Sequence, residues 1–208
     1  MDFGIAGKVA LVVGGSKGIG LESARMLAAE GCRVAVVART QHHIDRAVGG
    51  IREAGGEAVG IAADMSTQDG IERAVAETNA LLGAPLIVVT QADFHVRGFF
   101  EEVTRYEDYV DSFRAYTMSQ VYMLHAVLPA MKEVGWGRFV HIGSATAKEP
   151  QDKPPHTVAN GTPAIDRRPA EERRRRVRPL RHHDQHRRTG LDRDEDDELV
   201  PDDPRRAH

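Results

Sequence analysis

The stretch from Lys8 to Leu27 limits the fold more than any other part of the chain. It reads "KVALVVGGSKGIGLESARML": an unbroken apolar run, a glycine-rich turn, then helical spacing. A strand that is apolar on both faces must be covered on both faces, which is the situation of a parallel sheet with helices on either side. The glycines from Gly14 to Gly20 allow a tight reversal from strand to helix and a close backbone approach to a ligand. Ile19, Ala24, Leu27 and Ala28 share helical spacing, and Gly31 is placed to end that helix.

The alternation continues down the chain. "RVAVVAR", "EAVGIAAD", "PLIVVT" and "RFVHIGS" read as further strands, and "HIDRAVGGIREAG" and "QDGIERAVAETNALLG" as helices between them. A long helix is expected over roughly 105 to 134, with Val110, Phe113, Thr117, Val121, Leu124, Leu128 and Met131 on one packed stripe. Strands alternating with helices of this length form right-handed crossovers, so the expected fold is α/β, a Rossmann-type doubly wound parallel sheet. No internal repeat is found.

Composition narrows the partners. The balance of 28 basic against 31 acidic residues gives no case for nucleic acid or membrane as a partner. A single cysteine, Cys32, excludes a disulfide framework, fits a reducing compartment and reads as a small core residue. The start "MDFGIAGKVALVVGG" lacks the basic region and long apolar stretch of a signal peptide, and no run approaches the roughly 18 apolar residues of a membrane span, so a cytoplasmic location is expected.

The turn "GGSKGIG" is the first functional candidate, and Gly14, Ser16, Lys17, Gly18, Ile19 and Gly20 are its expected cofactor-binding residues. A helix N-terminus there offers free N–H groups and partial positive charge to a pyrophosphate. At the end of the second strand a carboxylate would bind the ribose 2′-hydroxyl of NAD, whereas an arginine accommodates the 2′-phosphate of NADP. The chain has Ala38 then Arg39, with Lys17 as a second cation, which favours NADP over NAD. A solvated strand-end arginine and a loop lysine are the plain alternatives.

The glycine spacing is Gly-x-x-x-Gly-x-Gly, and here the chain resembles the short-chain dehydrogenase/reductase family. The likeness runs from about residue 5 to 148 through "GGSKGIG", "VVART", "AADMS", "HAVLPAMKE" and "GRFVHIGS". It implies reduction of a carbonyl or oxidation of an alcohol with NADPH or NADP, 3-oxoacyl thioesters being a common substrate of the family. It also implies an adenine site at Asp64 and Met65, with a helix-capping role for Asp64 as the alternative, and it retains Ala92 of the family's Asn-Asn-Ala-Gly, which here reads "TQAD".

The same resemblance implies a catalytic serine at Ser144, and it puts the family's helix asparagine on Tyr116. The family's tyrosine and the lysine that follows it by four residues have no counterpart, because no tyrosine follows Tyr122 and no lysine follows Lys153. The lysine matters because a phenol with pKa about 10 is a poor acid near neutrality. His156, in "HTVAN", is a candidate substitute acid, against the plainer reading of a loop histidine among prolines.

Composition breaks near residue 160. From Gly161 to His208 there are 13 Arg and 12 acidic residues, and no Lys, Phe, Tyr or Trp. Such a segment cannot offset the roughly 1–2 kcal/mol per residue of backbone ordering. The chain therefore divides into an NADP-binding domain, 1–160, and a disordered tail, 161–208. The tail's mixed charge and lack of aromatics argue against a nucleic-acid arm, and His182, His183 and His186 lack the rigid frame of a metal site.

A shifted reading frame explains the tail better. Residues 165 to 192, shifted by one base, permit "STVGLLKNVADECGRYGITINTVAPGWI", which is similar to the family's next helix and strand. That frame puts the family's tyrosine position on Ala159. The chain is then a truncated family member whose sheet is incomplete at its C-terminal edge. An exposed apolar edge, poor solubility and an incomplete family-type homo-oligomer interface are expected.

Overall fold

The computed structural model describes residues 2–91 and 103–143. The expected tail and the domain boundary at residue 160 lie outside them. Five strands form one parallel sheet: β1 Val9–Val13, β2 Arg33–Ala38, β3 Glu57–Ala62, β4 Pro85–Gln91 and β5 Arg138–Ile142, in the order β3-β2-β1-β4-β5. The chain builds outward from β1 through β2 to β3, then returns to the other side of β1 for β4 and β5. That reversal, between β1 and β4, is the switch point at which doubly wound sheets open a crevice.

Helices α1 Gly18–Ala29, α2 Gln41–Glu53 and α3 Gln68–Leu82 occupy the crossovers, followed by α4 Tyr106–Phe113, a π-turn Arg114–Met118 and α5 Ser119–Val134. Strand residues alternate between two cores. Leu11, Val13, Ala35 and Val37 meet Ile71 of α3 and Met123 and Val127 of α5 on one face. Ala10, Val12, Val34 and Val36 meet Ala24 of α1 and Ile44 and Ile51 of α2 on the other. Every residue of β1 is buried, as its unbroken apolar sequence requires. Burying each Val or Leu contributes roughly 1.5–3 kcal/mol. Cys32 joins the second core, and burial, then the nearby Glu30 charge, raises its thiol pKa.

Two sequence readings need correction. Ile19 is 62% exposed, and the buried face of α1 is Gly20, Ala24 and Ala28. The stripe read along residues 105–134 is also not the packed one: Val110, Phe113, Thr117, Val121 and Leu128 are exposed, while Ser112, Ala115, Ser119, Met123, Val127 and Met131 are buried. The stripe fails on both sides of the π-turn, at Val110 and Phe113 before it and at Val121 and Leu128 after it, because the buried face includes the small residues Ser112, Ala115 and Ser119, which a pattern of large apolar residues does not register. No described helix is long and apolar enough to cross a membrane.

Candidate functional site: a nucleotide crevice at the switch point

The crevice lies over the C-terminal ends of four strands. Val13 ends β1 and Gly14 follows it, Ala38 ends β2 and Arg39 follows it, Ala63 to Ser66 follow β3, and Thr90 and Gln91 end β4. Ala115, Ser119, Gln120 and Met123 supply its helical wall. The site residues inferred at Gly14, Arg39, Asp64 and Met65 are thus brought together, and Ser16, Lys17, Gly18, Ile19 and Gly20 form the adjoining turn. Ala92, Ser144 and His156 lie outside the described residues.

The turn is built on three local constraints. Gly14 N and Gly15 N both donate to Val37 O, at 2.8 and 3.3 Å, so the turn is clasped to the end of β2. Gly14 has φ +67°, and the position of a Cβ there is taken by the Gln91 side chain, whose Nε2 donates to Gly14 O at 3.3 Å. A Cβ on Gly20 would strike the Gly14 carbonyl, so helix α1 can start this close to β1 only with glycine. Gly18 differs: at φ +53° its missing side chain faces open space, with nothing within 4 Å.

That open position is where a nucleotide phosphate fits. Lys17, the residue preceding α1, is extended and supplies no side-chain cap, and the first turn carries no acidic residue. The N–H groups at the start of a helix require acceptors, and an anion meets that requirement together with the dipole. The geometry therefore fits the pyrophosphate of a dinucleotide.

Asp64 organises the crevice floor beyond β3. Its Oδ1 accepts from Ser66 N at 2.9 Å and Ser66 Oγ at 2.7 Å, while Thr67 Oγ1 donates to its carbonyl at 3.1 Å. The alternative of Asp64 as the cap of α3 is corrected: the capping side chain is Thr67, whose Oγ1 accepts from Gly70 N at 3.1 Å.

A polar chain below the crevice escaped the sequence reading. Thr90, 2% exposed, donates from Oγ1 to Gln120 Oε1 at 2.7 Å and lies 2.9 Å from His141 Nδ1. With the hydroxyl proton given to Gln120, the His141 contact is satisfied by the tautomer that carries its proton on Nδ1. Gln120 Nε2 then donates to Ser119 Oγ at 3.1 Å, and Ser119 donates to Ala115 O at 2.6 Å. All the bonds run in one direction, from β5 to the π-turn. Partial burial lowers the His141 pKa, consistent with a neutral ring. The signal was present in "TQAD": a polar pair at the end of an otherwise apolar strand. The π-turn also contains Tyr116, at the position expected for the family asparagine.

A parallel doubly wound sheet with a phosphate turn at its switch point defines a nucleotide-binding Rossmann protein. Residues 8–156 match the model of the short chain dehydrogenase family, and the chain belongs to that family. It is 28% identical over 146 residues to ketoacyl reductase HetN of Nostoc sp., covering 70% of this chain and 50% of that protein. It is 32% identical over 148 residues to dehydrogenase/reductase SDR family member 4 of Oryctolagus cuniculus, covering 70% of this chain and 56% of the relative. Among solved structures it is similar to L-sorbose reductase from Gluconobacter frateurii complexed with NADPH and L-sorbose, with TM-score 0.72 and 30% identity, over 79% of this chain and 62% of that one. The chain spans about half the length of the curated relatives it matches.

Proposed function

We propose that this chain is an NADP(H)-binding short-chain dehydrogenase/reductase whose chemistry is carbonyl reduction or alcohol oxidation, with 3-oxoacyl thioesters as the favoured substrate class. The observation that carries the reading is the open, positive-φ Gly18 before the uncapped helix α1, with Lys17 beside it and Arg39 at the next strand end. The turn from Gly14 to Gly20 holds the pyrophosphate, Arg39 and Lys17 the 2′-phosphate, and Asp64 and Met65 the adenine, and the family resemblance assigns Ala92 to the same cofactor. Solved relatives in complex with NADPH and NADP support the choice of cofactor. When bound, the nicotinamide supplies or accepts the hydride. Ser144 then holds the substrate oxygen and His156 is the candidate proton donor.

Turnover by this chain is expected to be weak, because the Tyr-x-x-x-Lys pair is missing from its sequence. Titration with NADPH and NADH tests the binding. NADPH should bind more tightly, and Arg39→Ala with Lys17→Ala should lower NADPH affinity about tenfold or more while leaving NADH nearly unchanged. A carbonyl-reduction assay on the same sample separates an enzyme from a silent binding module. A homo-oligomer belongs to the same reading, and size-exclusion chromatography checks it.

A second reading, a degenerate fragment that binds nothing, is favoured by the exposure of β5, where Val140 is 50% exposed. It predicts that NADPH leaves Tm unchanged. The out-of-frame origin of residues 165–192 is tested by sequencing the gene around codons 158 to 168. Absence of a continuing family pattern in the alternative frame rejects it.

A further inference from the structure

Tyr116 is a titratable side chain to which the crevice so far assigns no role. It stands in the π-turn Arg114–Met118, between Ala115 and Ser119, which both line the crevice. A single π-turn inside an α-helical run is rare and frequently marks a functional site. Tyr116 is partly exposed, yet its phenol oxygen is buried, so the tip of the side chain points into the protein.

The height of Tyr116 along the sheet follows from the residues after it. Helix α5 runs opposite to the strands: the Met131 side chain fills the place of a Cβ on Gly137, just before β5, while Gln120 bonds Thr90 near the end of β4 at 2.7 Å. Tyr116 precedes Gln120 by four residues, on the same side of the run, and so stands about 5 Å further toward the C-terminal ends of the strands. A strand rises about 3.3 Å per residue, so this step passes the paired Thr90 and His141 and reaches the level of Gln91 and Ile142, the last residues of β4 and β5.

The sheet order then sets which part of a bound dinucleotide this end of the crevice meets. With the adenine at the ends of β2 and β3 and the pyrophosphate at the turn after β1, the reacting ring lies on the β4 and β5 side. We propose that Tyr116 is a catalytic residue whose Oη–H donates to the carbonyl oxygen of the substrate and gives up its proton as hydride arrives. The inference rests on the NADP(H) reductase reading above and gives Tyr116 the donor role for which His156 is the sequence candidate. Hydride from the reduced dinucleotide bonds to the carbonyl carbon and the C=O π pair moves onto oxygen. The Oη–H bond breaks, its proton completes the alcohol, and water reprotonates the phenolate. A phenol with pKa about 10 is a far stronger acid than the alcohol formed, so the transfer runs downhill, while its weakness near neutrality keeps turnover slow.

The full chain is tested with NADPH and an acetoacetyl thioester. Tyr116→Phe keeps the ring and removes the proton, so it should lower kcat about 100-fold or more while changing NADPH affinity by no more than about twofold. A second readout needs no turnover. With fluorotyrosine at the chain's four tyrosines, fluorine NMR resolves each ring, and Phe variants of Tyr106, Tyr109 and Tyr122 assign Tyr116 by elimination. The Tyr116 resonance should move when a hydroxybutyryl thioester is added to the chain with NADP, and that of the exposed Tyr106 should not. Should Tyr116→Phe fail to fold, the resonance alone decides. If Tyr116→Phe retains kcat, or the Tyr116 resonance ignores the thioester while NADP is bound, the assignment is overturned and the NADP(H) reading stands. A wild-type chain that binds NADPH but reduces nothing also removes Tyr116 as a donor and leaves the binding reading intact. A chain that binds no NADPH overturns both.

Discussion

Strands β2 and β5 are both short parallel strands that begin with arginine, yet they have opposite environments. β2 lies between β1 and β3, with helices on both faces, and Val34, Ala35, Val36 and Val37 are each 0% exposed. β5 is the outermost strand on its side among the described residues, and none of its five positions is buried. The buried strand has neighbours on both edges and the exposed one, which also carries Arg138 and His141, has a neighbour on one edge among the described residues. The half of the sheet around β1 is a finished core that positions the phosphate turn, while β5 is held by pairing to β4, by the partly buried Phe139 and Ile142 against the two cores, and by the polar chain through Thr90.

The largest expected contrast is between two glycines. Gly20→Ala drives a methyl group into the Gly14 carbonyl, so it should cost about 3 kcal/mol of stability and abolish nucleotide-dependent stabilisation in thermal melts. Gly143→Ala meets nothing within 4 Å among the described residues and should leave both unchanged. Equal losses from the two would show the halves to be equally packed.

Two valines sharpen the same point. Val36→Ala, at 0% exposure, should lower the unfolding free energy by about 2 kcal/mol. Val140→Ala, at 50% exposure, should change it by no more than about 0.5 kcal/mol in denaturant titrations.

Thr90→Val tests the connection between the halves. It removes the donor to Gln120 and the acceptor for His141 while preserving shape, and a loss of about 1–3 kcal/mol is expected. A neutral effect would mean that the polar chain is incidental to the fold.

The smallest effect is a pH dependence. Folding lowers the His141 pKa, so the unfolded chain binds more protons, and stability should decline as pH falls below the unfolded value of about 6.5 toward the folded one. His141→Gln should flatten this part of the pH profile measured by chemical denaturation. A His141-dependent decline above neutrality would contradict the sign of the shift.

The strand and helix order was legible because buried parallel strands have unbroken apolar runs and the phosphate turn has a glycine spacing forced by close backbone contacts. Gly14 and Gly20 were readable for that reason: one yields space to Gln91, the other to a carbonyl. Ile19 misled because its side chain has helical spacing yet sits at the first turn of α1, where the helix enters the turn and has no core beneath it. The stripe from Val110 to Met131 misled because the buried face of this run holds the small residues Ser112, Ala115 and Ser119, while large apolar side chains such as Phe113 and Leu128 stand exposed. The chain from His141 through Thr90 to Ser119 joins residues up to 51 positions apart, and only the sheet register places them together.

The π-turn has a consequence for how α4 and α5 tolerate change in length. It stores a surplus residue within the continuous helical run from Tyr106 to Val134. A one-residue deletion inside Arg114–Met118 can therefore be absorbed by conversion of the π-turn to an ordinary α-turn, without a gap in the hydrogen-bonded backbone. Such a deletion would keep Ser112 of α4 on its buried side and leave Met123, Val127 and Met131 seated on the sheet.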